Sequence, residues 1–203
     1  MLFRSDSSRY PVANIDFSAF IQRAADSKAD GIYIWVPSGP QPAAIGKAIA
    51  GRGIDKTKIK IMGQGELTDE DALKSMGDSA IGLITAAHYD YTHRSPMNEA
   101  FVRAYNAEFK HNPGIFAVGG YDGMHAIYEA LKKTNGNTDA DALVAATKGM
   151  TWESPRGPVM IDPETRDMVQ NVYIRRVEKV NGKVQNVEFD KIEMVKDPWK
   201  PKK

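Results

Sequence analysis

The chain has 203 residues, with 27 Lys and Arg against 26 Asp and Glu. This near-balance offers neither the basic field that suits nucleic acid nor the acidic excess of a disordered chain. Hydrophobic residues at 42% fit an ordinary folded protein, and zero cysteines exclude disulfides, thiolate nucleophiles and cysteine-ligated zinc. No apolar run approaches the roughly 20 residues that cross a bilayer, so membrane insertion is not expected, and MLFRSDSSRY carries no signal-peptide pattern.

A short strand is expected over Tyr10–Val12, followed by a helix over 17–28 that Asp16 caps and whose apolar positions are Phe17, Phe20, Ile21 and Ala24. The unbroken run Ile32-Tyr33-Ile34-Trp35-Val36 reads as a strand over 31–36 buried on both faces. The loop Pro37-Ser38-Gly39-Pro40-Gln41 leads into a helix over 42–51 with Pro42 as its first residue. A strand over 58–62 ends in the loop Gly63-Gln64-Gly65-Glu66, and Asp69, Glu70 and Asp71 open a short helix that Gly77 closes. The next strand is expected over 81–85. This alternation predicts a parallel sheet with right-handed crossovers.

Beyond His88 the pattern changes. Ser95-Pro96 starts a long helix, and a second carries Met124, Ile127, Tyr128 and Leu131 on one face. Gly119-Gly120-Tyr121-Asp122-Gly123 reads as the capped start of that second helix. A third helix runs from Asp139 to Gly149. Three amphipathic helices need a covering layer, and the local sequence supplies almost none. Strands over 157–161 and 169–180 follow, and Asn181-Gly182 is a strong hairpin signal returning through Val184, Val187, Phe189 and Ile192.

Chemistry-bearing motifs are few. His88 and His93 with Asp90 match no zinc spacing, and neither a serine elbow nor a phosphate-cradling glycine loop is present, so no metal, no cofactor and no catalytic residue is assigned. What remains are polar residues at two strand ends. Ser38, Gly39 and Gln41 after one strand, and Gln64 and Glu66 after the next, would lie side by side in a parallel sheet. There a hydroxyl and a helix N-terminus can take a carboxylate, and Glu66 can take an ammonium group.

The segments Asp30–Val36 with Ser38-Gly39, Met62–Thr68 and Gly119–Met124, and above all Trp152-Glu153-Ser154-Pro155-Arg156-Gly157-Pro158 through Asp162–Asp167 to Tyr173–Val177, resemble a known family. It comprises the periplasmic substrate-binding proteins of branched-chain amino acid ABC transporters. The resemblance implies a type 1 periplasmic-binding α/β fold, a parallel Rossmann-like sheet flanked by helices. On that plan residues 1–87 and 172–203 form the C-terminal ligand-binding lobe, and 88–171 the helical and hinge portion of an incomplete N-terminal lobe. The missing opening strands would account for the uncovered helices and the absent signal peptide. The implied function is non-enzymatic: a branched-chain amino acid or similar small ligand is held between two lobes, in the periplasm, for delivery to an ABC permease, with no nucleic-acid partner. The loops at Ser38–Gln41 and Gln64–Glu66 match positions from which the second lobe closes on ligand. A cytoplasmic amide or amino-acid sensor of the same fold, and an α/β enzyme with unrecognised catalytic groups, are the alternative readings.

Overall fold

The structure is a computed structural model that describes residues 6–11, 16–54 and 58–199. In chain order its elements are α1 (Ser18–Asp26), β1 (Gly31–Ile34), α2 (Pro40–Gly51), β2 (Lys60–Gln64), α3 (Glu70–Met76), β3 (Ile84–Ala87), α4 (Pro96–Phe109), α5 (Ile115–Lys133), α6 (Ala140–Thr147), β4 (Thr151–Ser154), β5 (Gly157–Ile161), β6 (Met168–Val180) and β7 (Lys183–Val195). Tyr10 and Pro11 form no strand, and Val12 lies outside the described residues. The chain divides into two compact units, Met1–Ala87 with Ile174–Phe189 and His88–Tyr173 with Asp190–Lys203.

The first unit is built on parallel strands. β1 pairs with β2 in the register Ile34↔Gly63, and β2 with β3 in the register Met62↔Ile84. Val177 of β6 extends the set, accepting from Gly82 N and donating to Leu83 O, each at 2.9 Å. Phe17 and Ile21 of the α1 segment, Ile45 and Ile49 of α2, and Leu73 and Met76 of α3 form one buried cluster with Ile34, Val36 and Ile61. All three helices therefore cover the same sheet face. That overturns the expectation of a strand buried on both faces: alternate residues Tyr33 and Trp35 point the other way and are each 65% exposed. An apolar run bridged by aromatics is thus a two-faced strand here, with the aliphatic residues inward.

Several boundaries differ from expectation. α2 starts at Pro40, two residues early, because Gly39 turns the chain with φ 116° and Pro40 then supplies a preset helical φ. β3 starts at Ile84, since Gly77–Ala80 forms a 3-10 turn before it. Asp16 accepts from Ser18 N at 3.0 Å, while Phe17 occupies the cap position. α3 begins as expected, with Asp69 accepting from Ala72 N at 2.8 Å.

In the second unit, Ser95 caps α4 through Asn98 N at 3.1 Å and Asp139 caps α6 through Ala142 N at 3.0 Å. Asn98 is buried and pins the preceding loop, accepting from Tyr89 Oη at 2.9 Å and donating to Tyr91 O and His93 O at 3.0 and 2.7 Å. α5 starts at Ile115, so Gly119 and Gly120 lie inside the helix and not at its start. The apolar face of α5 is largely exposed, in keeping with the lack of a covering layer in the sequence: Met124, Ile127 and Tyr128 are 44%, 48% and 56% exposed, and Phe116, not part of the expected face, is 73% exposed. No described residue covers that stripe. β4 and β5 pair antiparallel, and β5 meets the start of β6 in the register Val159↔Gln170.

β6 and β7, 13 residues each and roughly 40 Å long, are joined at Asn181-Gly182, where both residues have positive φ as a two-residue hairpin requires. Ile174–Phe189 belong to the first unit, and Asp190 onward to the second.

Candidate functional site

The β1–β2 register brings the two sequence-predicted loops together at the carboxyl ends of neighbouring parallel strands, where open α/β sheets bind ligands. Ser38 is half-buried and Gly39 exposed on the first loop; Glu66 is half-buried on a 3-10 turn formed by Gly65–Thr68. Gln41 belongs to the first turn of α2 and is buried. Gln64 is the last residue of β2, and its side-chain amide donates to Val36 O while its oxygen takes Val36 N at 3.4 Å. Of the predicted set, Ser38, Gly39 and Glu66 line the two loops, while Gln41 is packed and Gln64 fastens one loop to the other. The start of α2 is a poorer anion site than a generic helix N-terminus: Pro40 and Pro42 carry no N–H, which leaves Gln41 and Ala43 as donors of its first four residues.

Trp35, expected in a strand buried on both faces, is instead 65% exposed. Its carbonyl accepts from Tyr10 Oη at 2.6 Å, and the next residue, Val36, is gripped by Gln64. The backbone is therefore held from both sides while the indole is left exposed immediately before the Pro37–Gln41 loop. The alternation Ile-Tyr-Ile-Trp-Val, aliphatic against aromatic, was the available signal.

The turn bearing Glu66 is acidic, with Asp69 and Asp71 following it. Burial raises the Asp69 carboxyl above its ordinary value, with Ala72 N opposing and the Asp71 and Glu66 charges adding. Such a surface disfavours a carboxylate and suits a hydroxyl or ammonium donor. Beneath the turn lies Arg175 of β6, fully buried and absent from the sequence-level candidates, whose Nη2 donates to Gly65 O at 3.2 Å and Thr85 Oγ1 at 3.0 Å.

The motifs that carry the family resemblance in the second unit converge on one carboxylate. Asp122 of α5 accepts from Trp152 Nε1 and Ser154 Oγ, both at 3.0 Å, and pairs with Arg156 Nε at 2.7 Å. Arg156 also donates from Nη1 to Gln170 Oε1, and its carbonyl takes Tyr173 Oη at 2.7 Å. With Asp122 2% and Arg156 7% exposed, this is an internal brace tying β4, β5 and β6 to α5. His93 packs its ring on Tyr173 at 4.7 Å between centroids, and among the described residues no three His, Asp or Glu are grouped to hold a metal ion.

Parallel strands, one-sided crossover helices and polar loops at adjacent strand ends define an open α/β protein of the kind that binds small molecules at its strand ends. A family model described as periplasmic binding protein matches residues 5–183, and the chain belongs to that family. It is 41% identical over 197 residues to a Leu/Ile/Val-binding protein homolog 6 of Brucella melitensis, which covers 95% of this chain and 50% of that one. A solute-binding protein of an ABC transporter from Rhodopseudomonas palustris BisB5, solved with 3,4-dihydroxybenzoic acid, is 55% identical with TM-score 0.87 over 93% of this chain and 52% of the other. One from strain HaA2, solved with p-hydroxybenzoic acid, is 38% identical with TM-score 0.86 over 92% and 51%. The chain spans about half the length of the curated relatives it matches. The fold is the type 1 periplasmic-binding α/β fold, and no helix among the described residues is long and apolar enough to cross a membrane.

Proposed function

We propose that this protein serves as the solute-binding component of an ABC importer that takes up a small aromatic carboxylic acid of the hydroxybenzoate class. The observation that carries the choice of ligand is Trp35, a projecting indole on a clamped backbone at the ligand end of β1, suited to lie against a planar ring. Glu66 accepts a ring hydroxyl, and Ser38 and Gly39 close the same edge. Gln41 and Gln64 support these loops from behind. The acidic turn directs the ligand's carboxylate away from this unit. The benzoate-type acids held by the solved structures at 55% and 38% identity support the reading.

On this reading the first unit is the C-terminal lobe of the clamp, and the uncovered stripe of α5 packs against an N-terminal lobe sheet. The compartment is the periplasm, and the partner is a permease that recognises the closed form. The ligand is held and released unchanged. A branched-chain amino acid, bound through its ammonium group on Glu66, is the second reading, favoured by the Brucella relative at 41% identity.

The test is a titration of 4-hydroxybenzoate, 3,4-dihydroxybenzoate, benzoate and leucine. The protein is made both as these 203 residues and with any in-frame coding sequence found upstream. At a hundredfold excess over Kd a true ligand stabilises by about 2.7 kcal/mol. The aromatic acids should raise Tm and quench tryptophan emission in a manner lost in W35L. A response to leucine alone would replace the first reading by the second, and no response in either form would refute both.

A further inference from the structure

The turn Gly65–Thr68 is fastened at both ends to the long hairpin. At its start, Arg175 of β6, 1% exposed, donates from Nη2 to Gly65 O and to Thr85 Oγ1, with Thr68 Oγ1 at 3.5 Å. The Thr68 and Thr85 hydroxyls stand 2.9 Å apart and bond to each other. At its end, Asn186 of β7 donates from Nδ2 to Thr68 O at 2.8 Å. The backbone is pressed hard against these anchors: a Cβ on Gly65 would fall 2.6 Å from Ala87 Cβ and 3.3 Å from Arg175 Nη2. Glu66 sits between the two ties. Arg175 and Asn186 belong to the stretches of β6 and β7 within the first unit, and both strands continue into the second, which resumes at Tyr173 and at Asp190.

A guanidinium is costly to bury, and its planar fork holds several oxygens in a fixed geometry that a lysine cannot reproduce. A buried apolar residue would have packed the same space with no such requirement. From this we infer that Arg175, seconded by Asn186, is a positioning residue for ligand binding: it sets the place of Glu66 by holding the turn to the strands along which the chain leaves the unit. This rests on the proposed role of Glu66 at the ligand.

The experiment measures three quantities in R175K, R175M and N186A: the Kd for 4-hydroxybenzoate, the ligand-free Tm, and amide hydrogen exchange over residues 65–68. D122N serves as a control acting in the other unit. Expected are at least tenfold weaker binding and at least tenfold faster exchange over 65–68 in R175M. R175K should recover part of both, and N186A should show a loss of about threefold. D122N lowers Tm and leaves that exchange unchanged. Exchange and affinity equal to wild type in R175M overturn the inference, as does an affinity that only follows Tm with no rescue by R175K. If R175M does not fold, N186A and R175K decide by the same criteria. If the wild-type protein binds no aromatic acid, the proposed function falls and the exchange comparison alone decides the positioning.

Discussion

Replacing Asp122 by Asn should be among the most damaging isosteric changes in the chain. The carboxylate neutralises Arg156 at 2.7 Å and accepts from Trp152 and Ser154. An amide keeps the shape and some of the acceptor capacity but leaves the guanidinium, 7% exposed, without its counter-charge. Breaking a buried pair by removing one member costs about 3–5 kcal/mol. In a protein of this size each kcal/mol lowers Tm by about 2–4 °C, so a fall of about 6–20 °C is expected. Removing both members as D122L/R156M leaves no buried charge and should cost less than either single change, a coupling that a double-mutant cycle isolates. Thermal unfolding followed by far-UV circular dichroism and by Trp152 emission, whose indole N–H loses its charged acceptor, measures both. A drop under about 3 °C for D122N, or strict additivity in the double variant, would refute the brace.

Asp162 accepts from Glu164 N and Thr165 N at 2.8 and 3.2 Å and meets Lys196 Nζ at 2.8 Å. Chiefly through Lys196, its pKa falls from 3.8 to about 2. A depressed carboxylate stabilises fully above its unfolded value and loses that contribution as pH falls from about 4 through about 2. In K196M the NMR-detected midpoint of Asp162 should rise while staying below 3.8, because the backbone donors remain; an unmoved midpoint would show that Lys196 contributes nothing. Substituting Ala at Gly65 forces a Cβ to 2.6 Å from Ala87 and should cost about 1–3 kcal/mol in urea unfolding, with an unchanged midpoint counting against the packing described. The exposed α5 stripe should bind the dye ANS, and F116S/Y128S should cut that signal at least by half; equal fluorescence would mean that other surface binds the dye.

What the sequence made legible followed local rules. The capping carboxylates Asp69 and Asp139, the Ser95-Pro96 start of α4 and the Asn181-Gly182 hairpin each act within a few residues, and each lies where its chemistry requires. The adjacency of the Ser38 and Glu66 loops was equally readable, since alternating strands and helices imply neighbouring parallel strands. What escaped depended on distant partners. Whether Trp35 is buried depends on which face the helices cover, and a continuous apolar run does not state this. Arg175 stands within the Tyr173–Val177 segment that carries the resemblance, but its role at the Glu66 turn was not legible because its acceptors lie 110 residues away at Gly65 and 90 at Thr85. Gly119-Gly120 resembled a helix start because glycine is costly in a helix interior, yet the helix runs through them.

The same division separates family membership from ligand choice. The Trp152–Pro158 part of the block richest in family resemblance is spent, together with Asp122 of α5, on an internal brace whose carboxylate is 2% exposed. A motif of that kind fixes how α5 meets β4, a structural task separate from contact with a ligand. On the proposed reading, selectivity falls instead to short stretches at the ends of β1 and β2, where Trp35, Ser38 and Glu66 stand on a backbone held by Tyr10, Gln64 and Arg175. Exchanging those three side chains should then change what is recognised, because the hydrogen bonds that hold the loops run through other groups: Tyr10 Oη, the Gln64 amide and Arg175 Nη2. A chain can therefore be 41% identical to a Leu/Ile/Val-binding homolog and 55% identical to a protein holding a dihydroxybenzoate without contradiction. Grafting the Brucella residues at 35, 38 and 66 onto this chain should then shift its preference among leucine and the benzoates while moving Tm by only a few degrees. A Tm collapse in that graft would mean that the loops carry the fold as well as the ligand.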